Sequence, residues 1–316
     1  MNARSAKSIL VLFVLGLALN TLTAGENLWL YTTGTDTRPQ GSWELKLSNI
    51  TKMDKGAGSY VLNEFRPELE YGITDRWTVA VEAIVFDHNY SLEGEEHLAP
   101  ASENHNGSFE KTQLAGFEIS TKYNILSPYK DFMGLSLGFS YEYRDVYRLD
   151  GSEIVQHSFV PTIYMQKNFL DDTLVVAFKG KLEFEYREGP GVREEELAPD
   201  LALGISYRIA PKWFIGLEAR IQSDYLQPEE AGEENSSDAT DFANLAKIKI
   251  GTQHQYGLYV GPTVHYAEEG WWATAGLLFL VESGGNANSN DSVAHNGKAY
   301  DEHERFHLGL TMGFEF

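Results

Sequence analysis

Hydrophobic residues recur at every second position in block after block of this chain, and polar turns separate the blocks. Side chains alternate between the two faces of an extended strand, so each block predicts a strand with one apolar and one polar face. The apolar faces begin with Trp43, Leu45, Leu47, then Phe65, Pro67, Leu69, Tyr71, then Trp77, Val79, Val81, Ala83, Val85. The fourth carries Ala115, Phe117, Ile119, Thr121, Tyr123 and the fifth Leu135, Leu137, Phe139, Tyr141, Tyr143. The sixth, near Ile154 to Asn168, fits either phase. Phe178, Gly180, Leu182, Phe184, Tyr186 form the seventh and Leu201, Leu203, Ile205, Tyr207 the eighth. Trp213, Ile215, Leu217, Ala219, Ile221 form the ninth, and Leu258, Val260, Pro262, Val264, Tyr266 the tenth. Ala273, Ala275, Leu277, Phe279, Val281 precede a last strand showing Phe306, Leu308, Leu310, Met312, Phe314 and Phe316. A further short run, Leu28 to Thr33, reads as a leader or a partial strand.

The gaps between blocks alternate in length. After odd-numbered strands come the long, acidic ones at 91–108, 187–198, 226–244 and 283–302. After even-numbered strands come short turns: Gly72 to Arg76, 124–131, Leu170 to Asp172, Ala210 to Lys212 and Ala267 to Gly270. An even strand count, short turns on one side and long loops on the other predict an all-β, 12-stranded antiparallel transmembrane β-barrel with short periplasmic turns and long acidic extracellular loops. Tyr and Trp beside the turns (Tyr71, Trp77, Tyr207, Trp213, with Tyr123, Phe132, Tyr266 and Trp271) predict a girdle at one membrane–water boundary. Tyr143, Tyr147, Tyr186 and Tyr225 predict a second girdle at the other. The aromatic last residue, Phe316, resembles the assembly signal that closes Gram-negative outer-membrane barrels.

The first residues change the compartment. Arg4 and Lys7, the apolar run Ile9 to Leu19 and the small residue Ala24 before Gly25 predict a signal peptide over 1–24, cleaved after Sec-type export. Residues 25–41 then form a leader, either periplasmic or entering the lumen, ahead of a barrel over 42–316. The chain has no cysteine, so disulfides and thiol chemistry are absent. Its formal charge of −21 becomes two units more negative when Arg4 and Lys7 leave with the signal. Such acidity argues against nucleic-acid partners. Mean hydropathy of −0.32 does not oppose membrane residence, because a barrel strand needs apolar residues only at alternate positions.

The hairpin Leu69-Glu-Tyr-Gly-Ile-Thr-Asp-Arg-Trp77, preceded by Trp29-Leu-Tyr-Thr-Thr-Gly34 and Gly41-Ser-Trp-Glu44, resembles a group of uncharacterised proteobacterial outer-membrane β-barrels. The resemblance covers residues 28–83 and implies compartment and fold; it transfers no site. A gapless echo of the hairpin at Ile205 to Ala219 repeats the Tyr, the basic residue, the Trp and an inward Glu, here Glu218 for Glu82.

Function is sought on the polar faces. Glu44, Lys46, Glu64, Arg66, Glu68, Glu70, Glu82, Glu118, Lys122, Glu142 and Arg144 are expected to line the lumen, with Lys179, Lys181, Glu183, Glu185, Asp200, Arg208, Glu218, Arg220, His265 and His307. Charges in a dry core cost several kcal/mol each unless paired, so this many imply a watered lumen or an ion-paired plug. The first is a narrow passive channel for small solutes, cationic ones among them. The second is a non-conducting structural or surface-interaction barrel. A lipid-acting enzyme ranks third: there is no Gly-x-Ser-x-Gly elbow, and adjacent His157 and Ser158 point to opposite faces. His303 and His307, with Asp301, are expected to be solvated at a loop edge. No cofactor or metal is expected. The expected partners are outer-membrane lipid, lipopolysaccharide, the barrel-assembly machinery and an unidentified small solute. The acidic loops hold Glu93, Glu95, Glu96, Glu103, Glu194 to Glu196, Glu229, Glu230, Glu233, Glu234, Asp238 and Asp241, and predict steering of cations to the outer mouth.

Overall fold

A computed structural model of the chain describes residues 27–56, 58–91, 108–189, 192–226, 252–284, 294–295, 298–299 and 303–316. The expected signal peptide, Asp301 and most of the acidic loop residues lie outside them. The barrel strands are β1 (Trp43–Met53), β2 (Ser59–Thr74), β3 (Trp77–Ser91), β4 (Ser108–Leu126), β5 (Gly134–Val146), β6 (Glu153–Phe169), β7 (Leu174–Gly189), β8 (Val192–Ala210), β9 (Trp213–Leu226), β10 (Thr252–Glu268), β11 (Trp271–Gly284) and β14 (Phe306–Glu315). Each pairs antiparallel with its neighbour, and β14 returns to β1, closing a 12-stranded barrel. A short hairpin, β12 (Ala294–His295) with β13 (Lys298–Ala299), forms a separate two-stranded sheet.

Closure leaves no edge strand. β1 and β14 pair from Glu44 opposite Glu315 to Met53 opposite Phe306. Beyond that ladder, Trp43 and Phe316 exchange backbone hydrogen bonds of 2.7 and 2.9 Å. The terminal aromatic therefore completes the seam. On the outside, Val81, Ile119, Leu217 and Leu310 are each about half exposed, as a lipid-facing surface requires. Aromatic pairs ring the short-turn end: Trp43 lies 4.5 Å from Tyr71, Trp213 4.8 Å from Tyr266, and Tyr266 5.3 Å from Trp271.

The wall departs from strict alternation in a few places. Ile84 faces Gly116 while Val85 faces Leu114, so Ala115 is an extra, bulged residue. The insertion reverses parity: Leu114 is 68% exposed and Ala115 is buried inside, contrary to the expected outward Ala115. Gly116 sits there at φ 153°, with a Cβ position only 1.9 Å from the Tyr143 carbonyl oxygen, so no side chain fits. β6 takes one phase, because Tyr141 pairs with Phe159 and Phe139 with Pro161. Phe159 and Ile163 face out; Gln156, Ser158, Thr162 and Gln166 face in. The expected loop at 187–198 is also mostly wall: β7 runs to Gly189 and β8 starts at Val192.

One side of the lumen's loop end is apolar. Tyr60, Leu62, Ile84, Phe86, Tyr90, Ala115 and Val146 pack into one buried cluster on β2 to β5. The β5–β6 connection folds inward onto it. The Tyr60 hydroxyl donates to the Leu149 carbonyl (2.7 Å) and the Tyr90 hydroxyl to the Asp150 carbonyl (2.9 Å). Tyr147 belongs to this inward loop and stacks under Arg187 at 4.4 Å, lining the lumen instead of the upper girdle.

Two outcomes test this wall. Leu217→Arg should destabilise the barrel by about 2–4 kcal/mol in equilibrium unfolding, the depth-dependent cost of a cation on the lipid face. A cost under about 1 kcal/mol would place Leu217 away from the midplane. Deleting Phe316 removes the last seam bonds and should cut the yield of heat-modifiable barrel in membranes several-fold; a normal yield would show that the seam does not need it.

Candidate functional site

The lumen holds a strap formed by Asn27 to Arg38. It has no strand partner, so the wall's inward side chains satisfy its backbone. The buried Glu218 carboxylate accepts from three successive N–H groups, those of Leu30 (3.0 Å), Tyr31 (3.0 Å) and Thr32 (2.5 Å). Gln166 Oε1 accepts from Thr35 N (2.9 Å), and Thr78 Oγ1 from Arg38 N (2.8 Å). The carbonyls are met as well. Lys122 Nζ donates to Gly34 O (2.8 Å), Asn124 Nδ2 and Ser136 Oγ to Thr35 O (3.0 and 2.6 Å), and Thr263 Oγ1 to Leu28 O (3.3 Å).

Apolar strap side chains fill slots left by inward glycines. A Cβ on Gly204 would lie 2.3 Å from the Trp29 indole, and one on Gly309 2.5 Å from Leu30. Leu28 and Trp29 pack with Val175, Ala177 and Phe214. The Tyr31 ring lies beneath the Arg220 guanidinium at 3.9 Å, and its hydroxyl meets His307 Nδ1 at 2.7 Å. At the floor, Arg38 reaches Glu315 (2.7 Å), Glu44 (3.2 Å) and Glu70 (3.8 Å). Trp272 Nε1 donates to Glu44 from the other side (2.5 Å).

Many of the predicted lumen residues are joined in ion-pair groups. Lys46 bridges Glu68 (2.5 Å) and Glu70 (2.8 Å). Arg66 meets Glu82 (2.5 Å), Glu118 (3.2 Å), Glu64 (3.2 Å) and Glu142. Arg144 continues the chain to Glu142 (2.7 Å) and Glu185 (3.7 Å), and Arg220 grips Asp200 bidentately at 2.9 and 3.0 Å. Glu183, Lys179 and Lys181 line open space in the same lumen. Arg208 lies at the short-turn end, donating to Asp171 O (3.0 Å). His265 Nδ1 meets Thr274 Oγ1 at 2.7 Å and its ring stacks near Trp272.

His303 and His307 are fully buried, contrary to the expectation of a solvated loop edge. His307 stacks on Tyr259 at 4.1 Å. Its Nε2 faces Glu304 at 3.4 Å, and Glu304 in turn meets Arg148 of the inward loop (3.5 Å) and Lys55 (3.9 Å). Tyr31, His307, Glu304 and Arg148 thus connect the strap to the cap at the loop end. His157 faces out and bonds the Tyr141 hydroxyl (2.8 Å), while Ser158 is buried inside. Among the described residues, no group of three metal-ligating side chains converges.

Between strap and cap lies a cavity of about 810 Å³, and a smaller one of about 120 Å³ adjoins it against Thr33. Nine basic and eleven acidic side chains line the larger cavity, so the lumen is nearly neutral although the whole chain is strongly acidic.

The chain belongs to the family of unknown function DUF6662, whose pattern it matches over residues 21–316. No curated protein matches its sequence. Its fold is similar to that of an outer-membrane channel from Pseudomonas putida F1, with a TM-score of 0.56 at 12% identity over 89% of this chain and 98% of the other. More distant are the KdgM porin (TM-score 0.45, 11% identity, 86% and 99%) and the translocator domain of the autotransporter NalP from Neisseria meningitidis (0.45, 13%, 89% and 91%). At such identities these likenesses concern the fold of outer-membrane barrels.

The strap's anchor can be tested directly, because a chain without cysteine makes Thr32→Cys a unique reporter. Adding Glu218→Ala removes three charge-assisted hydrogen bonds and should raise maleimide labelling at position 32 about tenfold or more. An unchanged rate would show that Glu218 does not hold the strap.

Proposed function

We propose that this chain is an integral outer-membrane barrel that forms a narrow, gated channel for small polar solutes, closed in this state by the Asn27–Arg38 strap. The supporting observation is the polar cavity of about 810 Å³ enclosed by a complete barrel wall. A purely structural barrel of this width would gain by filling that space with packed side chains, since interiors are normally close-packed. The strap and the ion-pair groups favour a second reading, a non-conducting barrel that displays its loops. An enzymatic role is disfavoured by the opposed faces of His157 and Ser158. In this proposal the short turns face the periplasm, the wall contacts lipid and lipopolysaccharide, and Phe316 is read by the assembly machinery.

Planar-bilayer recording separates the two readings. Wild-type protein should show small, infrequent openings, and deletion of residues 27–38 should increase conductance several-fold. At low salt the reversal potential should favour cations, an effect of the acidic loops that fades as the Debye length shrinks from about 30 Å at 0.01 M to about 10 Å at 0.1 M. Replacing Glu229, Glu230, Glu233 and Glu234 by Gln should weaken that preference without closing the pore. Silent bilayers with both wild-type and strap-deleted protein, each correctly folded, would overturn the channel and leave the structural barrel.

A further inference from the structure

The smaller cavity differs in charge from the rest of the lumen. Three carboxylates line it, and each already holds a cation: Glu68 with Lys46, Glu70 with Lys46 and Arg38, Glu118 with Arg66. Lys179 and Lys181 have no such partner. They project from alternate positions of β7, roughly 7 Å apart along the strand. Among the described residues, neither ammonium has a carboxylate within 4.0 Å or a hydrogen-bond acceptor. Lys179 Nζ lies over the Tyr164 ring at 5.9 Å, and the same ring also receives Lys122 at 4.7 Å.

Two ammoniums rooted side by side repel each other and lose hydration inside the barrel, while the carboxylates that act on them, Glu118, Asp200 and Glu183, do so from beyond contact distance and leave their donors open to a ligand. Hydroxyls of Ser120, Ser140 and Thr162 face the same space, which suits a ligand carrying hydrogen-bonding groups besides its charge. At about 120 Å³ the space equals roughly four water volumes, enough for an anion of three or four carbons. Lys179 and Lys181 also line the larger cavity, so a solute passing from one to the other meets both.

We propose that Lys179 and Lys181 form a binding site for a small organic carboxylate, of the hydroxy-acid class, at the step between the two cavities. This rests on the reading of the lumen as a solute path and names the solute that the path selects. The acidic loops do not contradict it. Their field acts over a Debye length and is screened at physiological salt, whereas contact with two desolvated ammoniums is short-ranged.

The test is calorimetric titration of the folded, detergent-solubilised protein with L-lactate, with inorganic phosphate and ethylammonium as comparison ligands. Lactate should bind saturably. The Lys179→Gln/Lys181→Gln double variant, folded as judged by heat-modifiable migration, should lose at least about tenfold in affinity. Lys179→Arg/Lys181→Arg should keep binding within about threefold, which separates charge from a packing defect. No saturable lactate binding, unchanged affinity in the Gln variant, tighter binding of phosphate, or binding of ethylammonium instead would each overturn the assignment. Binding is read without any current. Lactate binding in a protein silent in bilayers would therefore sustain the site and remove the channel, and conduction without lactate binding would do the reverse.

Discussion

Every backbone N–H and C=O in a lipid-facing wall must be bonded within the protein, because hydrocarbon offers no water to replace a missing partner. That requirement explains why β14 returns to β1 and why Trp43 and Phe316 exchange both of their backbone bonds. It also governs what can lie inside. Once closed, the barrel has no free edge for another segment to pair with. A chain crossing the lumen must therefore find its partners among side chains. The strap does so: Glu218, Gln166 and Thr78 take its N–H groups, and Lys122, Asn124, Ser136 and Thr263 meet its carbonyls. Three N–H groups aimed at one carboxylate also offset a charge that would otherwise sit unpaired in a buried position.

The same logic organises the remaining lumen charges. Arg66 alone contacts four carboxylates, and Arg38 three, so each guanidinium serves as a hub whose donors are shared among strands. Hubs of this kind leave acidic groups dependent on a few cations, and removing one cation would strand several charges at once. Among the described residues of the lumen wall, the lysines with no carboxylate within 4.0 Å and no hydrogen-bond acceptor are Lys179 and Lys181, which sit where the strap leaves open space. Open, polar space and ammonium groups without a contact partner thus coincide.

Much of the fold was legible because a barrel wall is a repeated two-faced pattern. On β9, Ile215 and Leu217 alternate with Gly216 and Glu218, and seeing that requires no tertiary knowledge. Nor does the contrast between the short turn at Ala210 to Lys212 and the long stretch after Leu226. What escaped the pattern has local physical causes. A single inserted residue at Ala115 reverses parity across the bulge without changing composition. β6 carries apolar residues on both faces, Ile154 and Val160 inside with Val155 and Phe159 outside, so periodicity alone could not choose its phase. The strap's course depends on empty slots at Gly204 and Gly309, on strands far away in sequence. Only the closed barrel brings those slots opposite Trp29 and Leu30. The inward turn of Tyr147 to Asp150 likewise depends on Tyr60 and Tyr90 hydroxyls from β2 and β3. The lumen-facing charges were readable one by one, but which of them share a hub was not, because Arg66 gathers Glu82, Glu118 and Glu142 from three different strands.

Charge in this protein acts at two ranges, and the two answer differently to salt. The lining of the larger cavity is nearly balanced although the whole chain is strongly acidic, and charge in contact with water is screened within about 8–10 Å at physiological ionic strength. Ion pairs such as Arg66 with Glu82 and Arg220 with Asp200 are partly buried contacts, which salt weakens far less. Raising the salt should therefore erase long-range attraction at the mouth while leaving the lumen's architecture, and the anchors of the strap, in place. In the proposed channel, selection by an outer field and selection by contact with Lys179 and Lys181 would be separable, because only the second survives when the field is screened.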